Sequence, residues 1–234
     1  MSSNVVVRDG TDVRGDEVVR YSLKERVCHW VSGFSYLYLL LSGLSLFTPY
    51  LYWIAYVLGG GPTVRFWHPW AGLVFFLCAI WMHGIWRADM KSTAEDKQWE
   101  KGLKNYVTNR DERLGPIGRF NAGQKQFYWA MYYSTMVLIV TGIVMWFPEL
   151  MPRAAHGVLP VIVFLHVVAA LVTIAAFMIH IYMGIFFVPG GLHGMLYGRV
   201  TANWAKAHHR LWYDKVSVES RSPVAGSGGS KGAD

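Results

Sequence analysis

Four stretches of the chain contain no Asp, Glu, Lys or Arg: Cys28 to Leu58, Phe66 to Trp86, Gln126 to Pro148 and Gly157 to Tyr197. A helix of about 20 apolar residues crosses a hydrocarbon layer of about 30 Å, and each stretch is long enough. Lipid offers the backbone no hydrogen-bonding partner, so continuous α-helix is the form such stretches take. The pattern predicts an all-α membrane protein, a four-transmembrane-helix bundle with spans at approximately 28–50, 66–86, 126–148 and 158–188. The first and last stretches have residues to spare for a segment outside the core, and Pro189-Gly-Gly breaks the fourth.

The remaining residues divide into flanks around a transmembrane domain at 28–190. Residues 1–27 read as a polar N-terminal tail. Residues 191–216 mix Trp204, Trp212 and Tyr213 with basic side chains, as an interfacial segment lying on lipid does. Residues 217–234, rich in Ser and Gly, read as a disordered C-terminal tail. The connection from Arg87 to Lys125 is long and charged, and its end, Gly118-Arg-Phe-Asn-Ala-Gly-Gln-Lys125, leads into the third span. No internal repeat is evident.

The net charge of +7 would admit a nucleic-acid partner, but its distribution argues otherwise. Five cations precede Cys28, nine lie between Arg87 and Lys125 and six follow the fourth span, whereas the other two connections hold only Arg65 and Arg153. Twenty of 22 thus share one face, which the positive-inside rule makes cytoplasmic, with both termini there. The charge orients the protein in its membrane lipids, and no nucleic acid is expected. No cleaved signal peptide is expected either, because 27 polar residues precede the first apolar stretch. Cys28 and Cys78 are expected at different depths, unable to bridge.

Five histidines fall within the apolar spans: His29, His68, His83, His166 and His180. Ionisable groups at such depth are default candidates for function. With alternating spans, His29 opens the first at the inner face and His68 opens the second at the outer face. His166 lies in the outer half of the fourth span, and His180 follows 14 residues later, about 21 Å deeper and about 40° round the helix. Two levels result, His68 with His166 outside and His29 with His180 inside. A planar macrocycle with a central iron takes one ligand on each side, and neutral imidazole is a common haem ligand. The reading is a di-haem cytochrome b whose filled axial positions suit electron transfer rather than oxygen chemistry. No C-x-x-C-H occurs, so the haems are held without thioether bonds. His83 competes for the inner level and is read as a polar neighbour. Gly43 at the outer level and Gly72 below His68 either admit a flat cofactor or serve helix packing.

Val-Cys-His-Trp at His29, Trp-His-Pro-Trp-Ala-Gly at His68, Phe-Asn-Ala-Gly-Gln-Lys from Phe120, Phe-Leu-His at His166 and Ile-His-Ile-Tyr-Met-Gly at His180 together resemble the gamma subunit, a cytochrome b, of respiratory formate dehydrogenase. Trp204-Ala-Lys-Ala-His-His and Trp212-Tyr resemble that family's inner tail, so the likeness spans roughly residues 20 to 215. It implies a multi-pass protein of the bacterial inner membrane, partnered on the periplasmic side by an iron–sulfur beta subunit and a catalytic alpha subunit with a molybdenum or tungsten pterin centre. It also implies two non-covalent b haems and a quinone reduced beside the inner one, at Asn121, Gly123 and Gln124 with His180 adjoining. Asn121 equally suits a helix N-cap, and both roles are compatible. The chain itself would hold no formate-oxidising site. The alternatives are the cytochrome b of a nickel–iron hydrogenase or related quinone-reducing complex, and a haem-free membrane anchor. The long N-terminal tail and the Gly59-Gly-Gly-Pro62 run depart from the family pattern without touching a ligand position.

Overall fold

The computed structural model describes residues 13–14, 16–108 and 115–221. Its frame is four long helices, α1 Leu23–Phe47, α3 Gly61–Trp86, α6 Ala122–Trp146 and α7 Leu159–Ile181. All are long and apolar enough to cross a membrane, the fourth counting from Arg153 to Phe187. α1 packs mainly on α3 and α6 mainly on α7, with α3 also against α6. Shorter helices among the described residues are α2 Trp53–Val57, α4 Ala94–Lys101, α5 Leu103–Val107, α8 Gly191–Tyr197, α9 Ala202–His208 and α10 Arg210–Arg221.

The bundle has the polarity of a protein folded in lipid. Along the long helices, Ser42, Ser45, Thr135, Thr141 and Thr173 are buried, while Phe34, Leu77, Val140 and Met178 face outward. Small hydroxylated residues let helix backbones approach and satisfy one another, whereas lipid is as good a neighbour as another helix for a large apolar chain.

Three of the long helices begin four or five residues before their expected spans, because local caps extend them past the charged residues. At α1, Ser22 Oγ accepts from the Glu25 N–H at 3.4 Å and Glu25 Oε2 accepts from the Ser22 N–H at 2.7 Å. Asn121 and Gln124 form the same reciprocal capping box at α6, at 2.8 and 3.0 Å. At α3, Gly59 and Gly60 take φ of 94° and 98°, open only to glycine at low cost, and Pro62 occupies the first turn. The segment beyond α1 is the expected extra, a 3-10 turn at Pro49–Leu51 followed by α2. α7 gives way at Tyr182–Phe187 to a π-helical turn before Pro189.

Within the polar N-terminal segment, β2 Glu17–Val19 is the middle strand of a small antiparallel sheet between β1 Val13–Arg14 and β3 Arg199–Thr201. Three expectations are corrected. The segment after α7 does not present Trp212 to lipid; Trp212 and Val216 are buried with Val18, Val200 and Ala205 in a satellite core beneath the bundle. Residues 217–221 belong to α10, and the rest of the expected disordered tail, 222–234, lies outside the described residues. Cys28 and Cys78 lie at one depth, Cys28 Sγ 3.5 Å from the Cys78 carbonyl oxygen, both as free thiols. The antiparallel course of α1 and α3 brings residues near the start of one level with residues near the end of the other.

Candidate functional site

Alternation of the helices sorts the histidines into two layers. The end where α1 and α6 begin and α3 and α7 finish is called the terminal end, and the opposite one the hairpin end.

At the terminal end, His29 from α1 and His180 from α7 face each other with ring centroids 6.0 Å apart. An iron between two imidazoles, with metal–nitrogen bonds of about 2 Å, sets the centroids roughly 6 Å apart, so the pair fits a bis-histidine site. Phe127 of α6 lies flat against His180, centroids 4.6 Å apart and planes at 11°. His29 Nδ1 is buried without a hydrogen-bond partner among the described residues.

Beside this pair is a cavity of about 1190 Å³, walled by His29, His180, Tyr36, Asn121, Gly123 and Gln124 among others. It exceeds the roughly 300–1,000 Å³ of an ordinary small-molecule site. The capping box determines what Asn121 and Gln124 offer. Each amide oxygen is turned onto the backbone, and the two amide NH₂ groups are donors with no hydrogen bond among the described residues. Gly123 is where α6 passes the Trp99 ring of α4: a Cβ there would stand 3.1 Å from it. All four residues expected at a quinone pocket thus line this one cavity.

The terminal end is also braced by charge. Glu25 Oε1 accepts from Trp86 Nε1 and from Arg119, both at 2.6 Å, and Arg119 also reaches Asp89 at 2.9 Å. Burial works against the Arg119 cation, but the Glu25 and Asp89 carboxylates outweigh it and hold its pKa above the ordinary arginine value. Lys125 and Asp96 pair at 2.6 Å. Arg20 is buried against the Trp212 face at 4.6 Å and donates to the Arg119 carbonyl; burial lowers its pKa. His209 donates from Nδ1 to the Gly118 carbonyl at 2.8 Å with the Arg20 guanidinium on its other nitrogen. Burial, then Arg20, push its pKa well below the ordinary histidine value, so it is neutral.

At the hairpin end are His68 of α3 and His166 of α7. Gly43 and Gly142 lie against them: a Cβ at either would stand in ordinary contact, 3.5 Å from the Cε1 of His68 and His166 respectively. Gly43 therefore sits at this level as the sequence indicates, whereas Gly72 meets Leu39. Sequence reasoning missed Ser42, Thr141 and Gly142. His68 Nδ1 lies 2.7 Å from Ser42 Oγ and His166 Nδ1 lies 2.8 Å from Thr141 Oγ1. The signal was present as a hydroxyl followed by glycine, Ser42-Gly43 and Thr141-Gly142, in two different spans. His83 joins neither pair; it bonds Tyr128 at 2.6 Å and stacks on Tyr132.

A family model described as prokaryotic cytochrome b561 matches residues 20–198, which include all four paired histidines and the Asn121–Gln124 box. The chain is 34% identical over 209 residues to the formate dehydrogenase cytochrome b556(fdo) subunit of Escherichia coli K12, covering 87% of this chain and 95% of that one. It is 30% identical over 199 residues to the nitrate-inducible formate dehydrogenase cytochrome b556(Fdn) subunit of the same strain, 85% and 91% covered. Against the formate dehydrogenase cytochrome b556 subunit of Haemophilus influenzae the figure is 29% over 196 residues, 84% and 82% covered.

Proposed function

From the premise that the chain belongs to the prokaryotic cytochrome b561 family, among the cytochrome b subunits of formate dehydrogenase, we propose that it carries electrons through two haems to a quinone reduced at its terminal end. His68 and His166 would hold the iron of one haem b, and His29 and His180 that of the other. Bound there, the haems supply one-electron carriers with no open position for oxygen. The observation that carries this reading is the facing of His29 and His180 at 6.0 Å beside a cavity with free amide donors.

The terminal end faces the cytoplasm, as the positive-inside rule indicates, in the inner membrane of a bacterium. The partners are an iron–sulfur subunit and a molybdenum or tungsten pterin subunit on the periplasmic side, next to the hairpin-end pair. Electrons then travel inward, each electron that crosses the full membrane potential costing about 2.3 kcal/mol per 100 mV. Quinone, two electrons and two protons from the cytoplasmic side give quinol, so formate oxidation outside conserves energy without a proton channel. Asn121 and Gln124 present NH₂ donors to a carbonyl oxygen as negative charge develops on it. Gly123 lets α6 pass close to the Trp99 ring at the cavity, and Phe127 fixes the plane of the His180 ring. The hydrogenase alternative gains no support from these relatives, which are formate dehydrogenase subunits.

The test is sidedness. In liposomes holding the whole complex with its termini inside, formate added outside with a short-chain quinone analogue should reduce the quinone and make the lumen alkaline. Proton uptake from the outside would refute the proposed placement.

A further inference from the structure

The two hydroxyl contacts at the hairpin end share one pattern, and counting protons shows what it does. Ser42 Oγ stands 2.6 Å from the Tyr38 carbonyl oxygen, one helical turn back, and Thr141 Oγ1 stands 2.7 Å from the Val137 carbonyl oxygen. A carbonyl only accepts, so oxygens this close require the hydroxyl proton between them. Each hydroxyl has one proton. Its contact with imidazole Nδ1, at 2.7 Å for His68 and 2.8 Å for His166, is therefore one in which the ring donates. Both histidines carry their proton on Nδ1, and the Nε2 lone pair is left for a metal. Ser42 is wholly buried and Thr141 nearly so, so water does not compete for these bonds.

We propose that Ser42 and Thr141 are positioning residues which, as a matched pair on α1 and α6, fix the tautomer and ring orientation of His68 and His166 and tune the haem they hold. The inference rests on the bis-histidine reading above. An Nδ1–H bonded to an acceptor makes the imidazole a stronger electron donor to iron, which favours the ferric form and lowers the reduction potential. The outer haem receives this twice. At the terminal end, His29 Nδ1 has no such partner among the described residues. The difference makes the hairpin-end haem the lower in potential by this contribution, in the sense that drives electrons inward.

The experiment is a potentiometric titration, followed at the b-haem absorption band, of the whole complex carrying Thr141→Val, Ser42→Ala or Thr141→Ser. Valine keeps the shape of threonine without its hydroxyl, and serine keeps the hydroxyl without the methyl group. Thr141→Val and Ser42→Ala should each raise the potential of one haem and leave the other unmoved, with haem retention on dilution falling roughly ten-fold; Thr141→Ser should restore the wild-type curve. Two haems with unchanged potentials in Thr141→Val and Ser42→Ala would overturn the inference while leaving the histidine ligation intact. So would Thr141→Ser shifting as far as Thr141→Val, which would make the role one of packing. A wild-type complex without b-haem absorption would overturn the ligation reading itself, a separate outcome.

Discussion

At the hairpin end each imidazole is bonded through Nδ1 to a buried hydroxyl on the adjacent helix, at 2.7 and 2.8 Å, and glycine backs each ring. At the terminal end His29 Nδ1 has no such bond among the described residues, His180 rests against a parallel phenylalanine, and a cavity of about 1190 Å³ opens beside both. The two pairs share their ligand chemistry and differ in their surroundings. A site that only passes electrons gains from ligands that cannot move. A site that also exchanges a lipid-soluble substrate needs open volume and unspent hydrogen-bond donors, and both are found at the terminal end.

That openness is compensated by a frame of buried charge, and the frame is where the comparison breaks most readily. Arg119→Ala leaves the Glu25 carboxylate, at 6% side-chain exposure, without its cation. Removing one partner of a buried pair costs about 3 kcal/mol or more. The variant should unfold at a distinctly lower temperature in detergent and lose the absorption of the haem proposed for His29 and His180 before that of the other. Simultaneous loss of both would mean that the two ends do not differ in this way.

A smaller effect separates electron entry from quinone exchange. Replacing Gln124 by Leu removes a donor from the cavity wall while Asn121 still caps α6. Quinone reduction should slow by about 10- to 100-fold, about 1.4 to 2.7 kcal/mol of transition-state stabilisation, whereas formate should still reduce both haems at the wild-type rate. Stopped-flow spectroscopy distinguishes the two phases, and equal slowing of both would remove Gln124 from the quinone site.

The smallest effect is a pH dependence confined to the terminal end. His209 is neutral when folded, its pKa held well below the ordinary value by burial. The unfolded chain therefore binds its proton first as pH falls, and stability is full above about pH 6.5 and declines below it, by at most about 1.4 kcal/mol per pH unit, until the folded form also protonates. Thermal melts between pH 7.5 and 5.5 should show this slope, and His209→Gln should flatten it at some cost in overall stability.

Most of the frame was legible because charge is so costly in lipid: the four uncharged stretches locate the four long helices, and cation placement sorts the connections onto two faces. Histidine spacing of 14 residues on one helix gave the two layers by geometry alone, and the structure pairs His29 with His180 accordingly. Helix starts were misplaced because Ser22 with Glu25 and Asn121 with Gln124 extend helices through charged turns that an apolar count excludes. The order in residues 16–22 was missed because it depends on pairing Val18 with Val200, a contact across 182 residues that no local pattern announces. Depth arithmetic was applied to the histidines and not to Cys28 and Cys78, which the same antiparallel course brings together. The hydroxyls of Ser42 and Thr141 were overlooked because serine and threonine in a membrane span usually signify nothing beyond bonding to their own helix.

The account turns on two haems held by two separate histidine pairs, and the most direct measurement is a reduced-minus-oxidised spectrum with pyridine haemochrome quantification on the purified chain, on His68→Ala and on His180→Ala. Two b haems per chain are predicted, falling to one or fewer in each variant, with a different spectral component lost in each. A folded chain that binds no haem, or one whose haem content neither substitution changes, would contradict it.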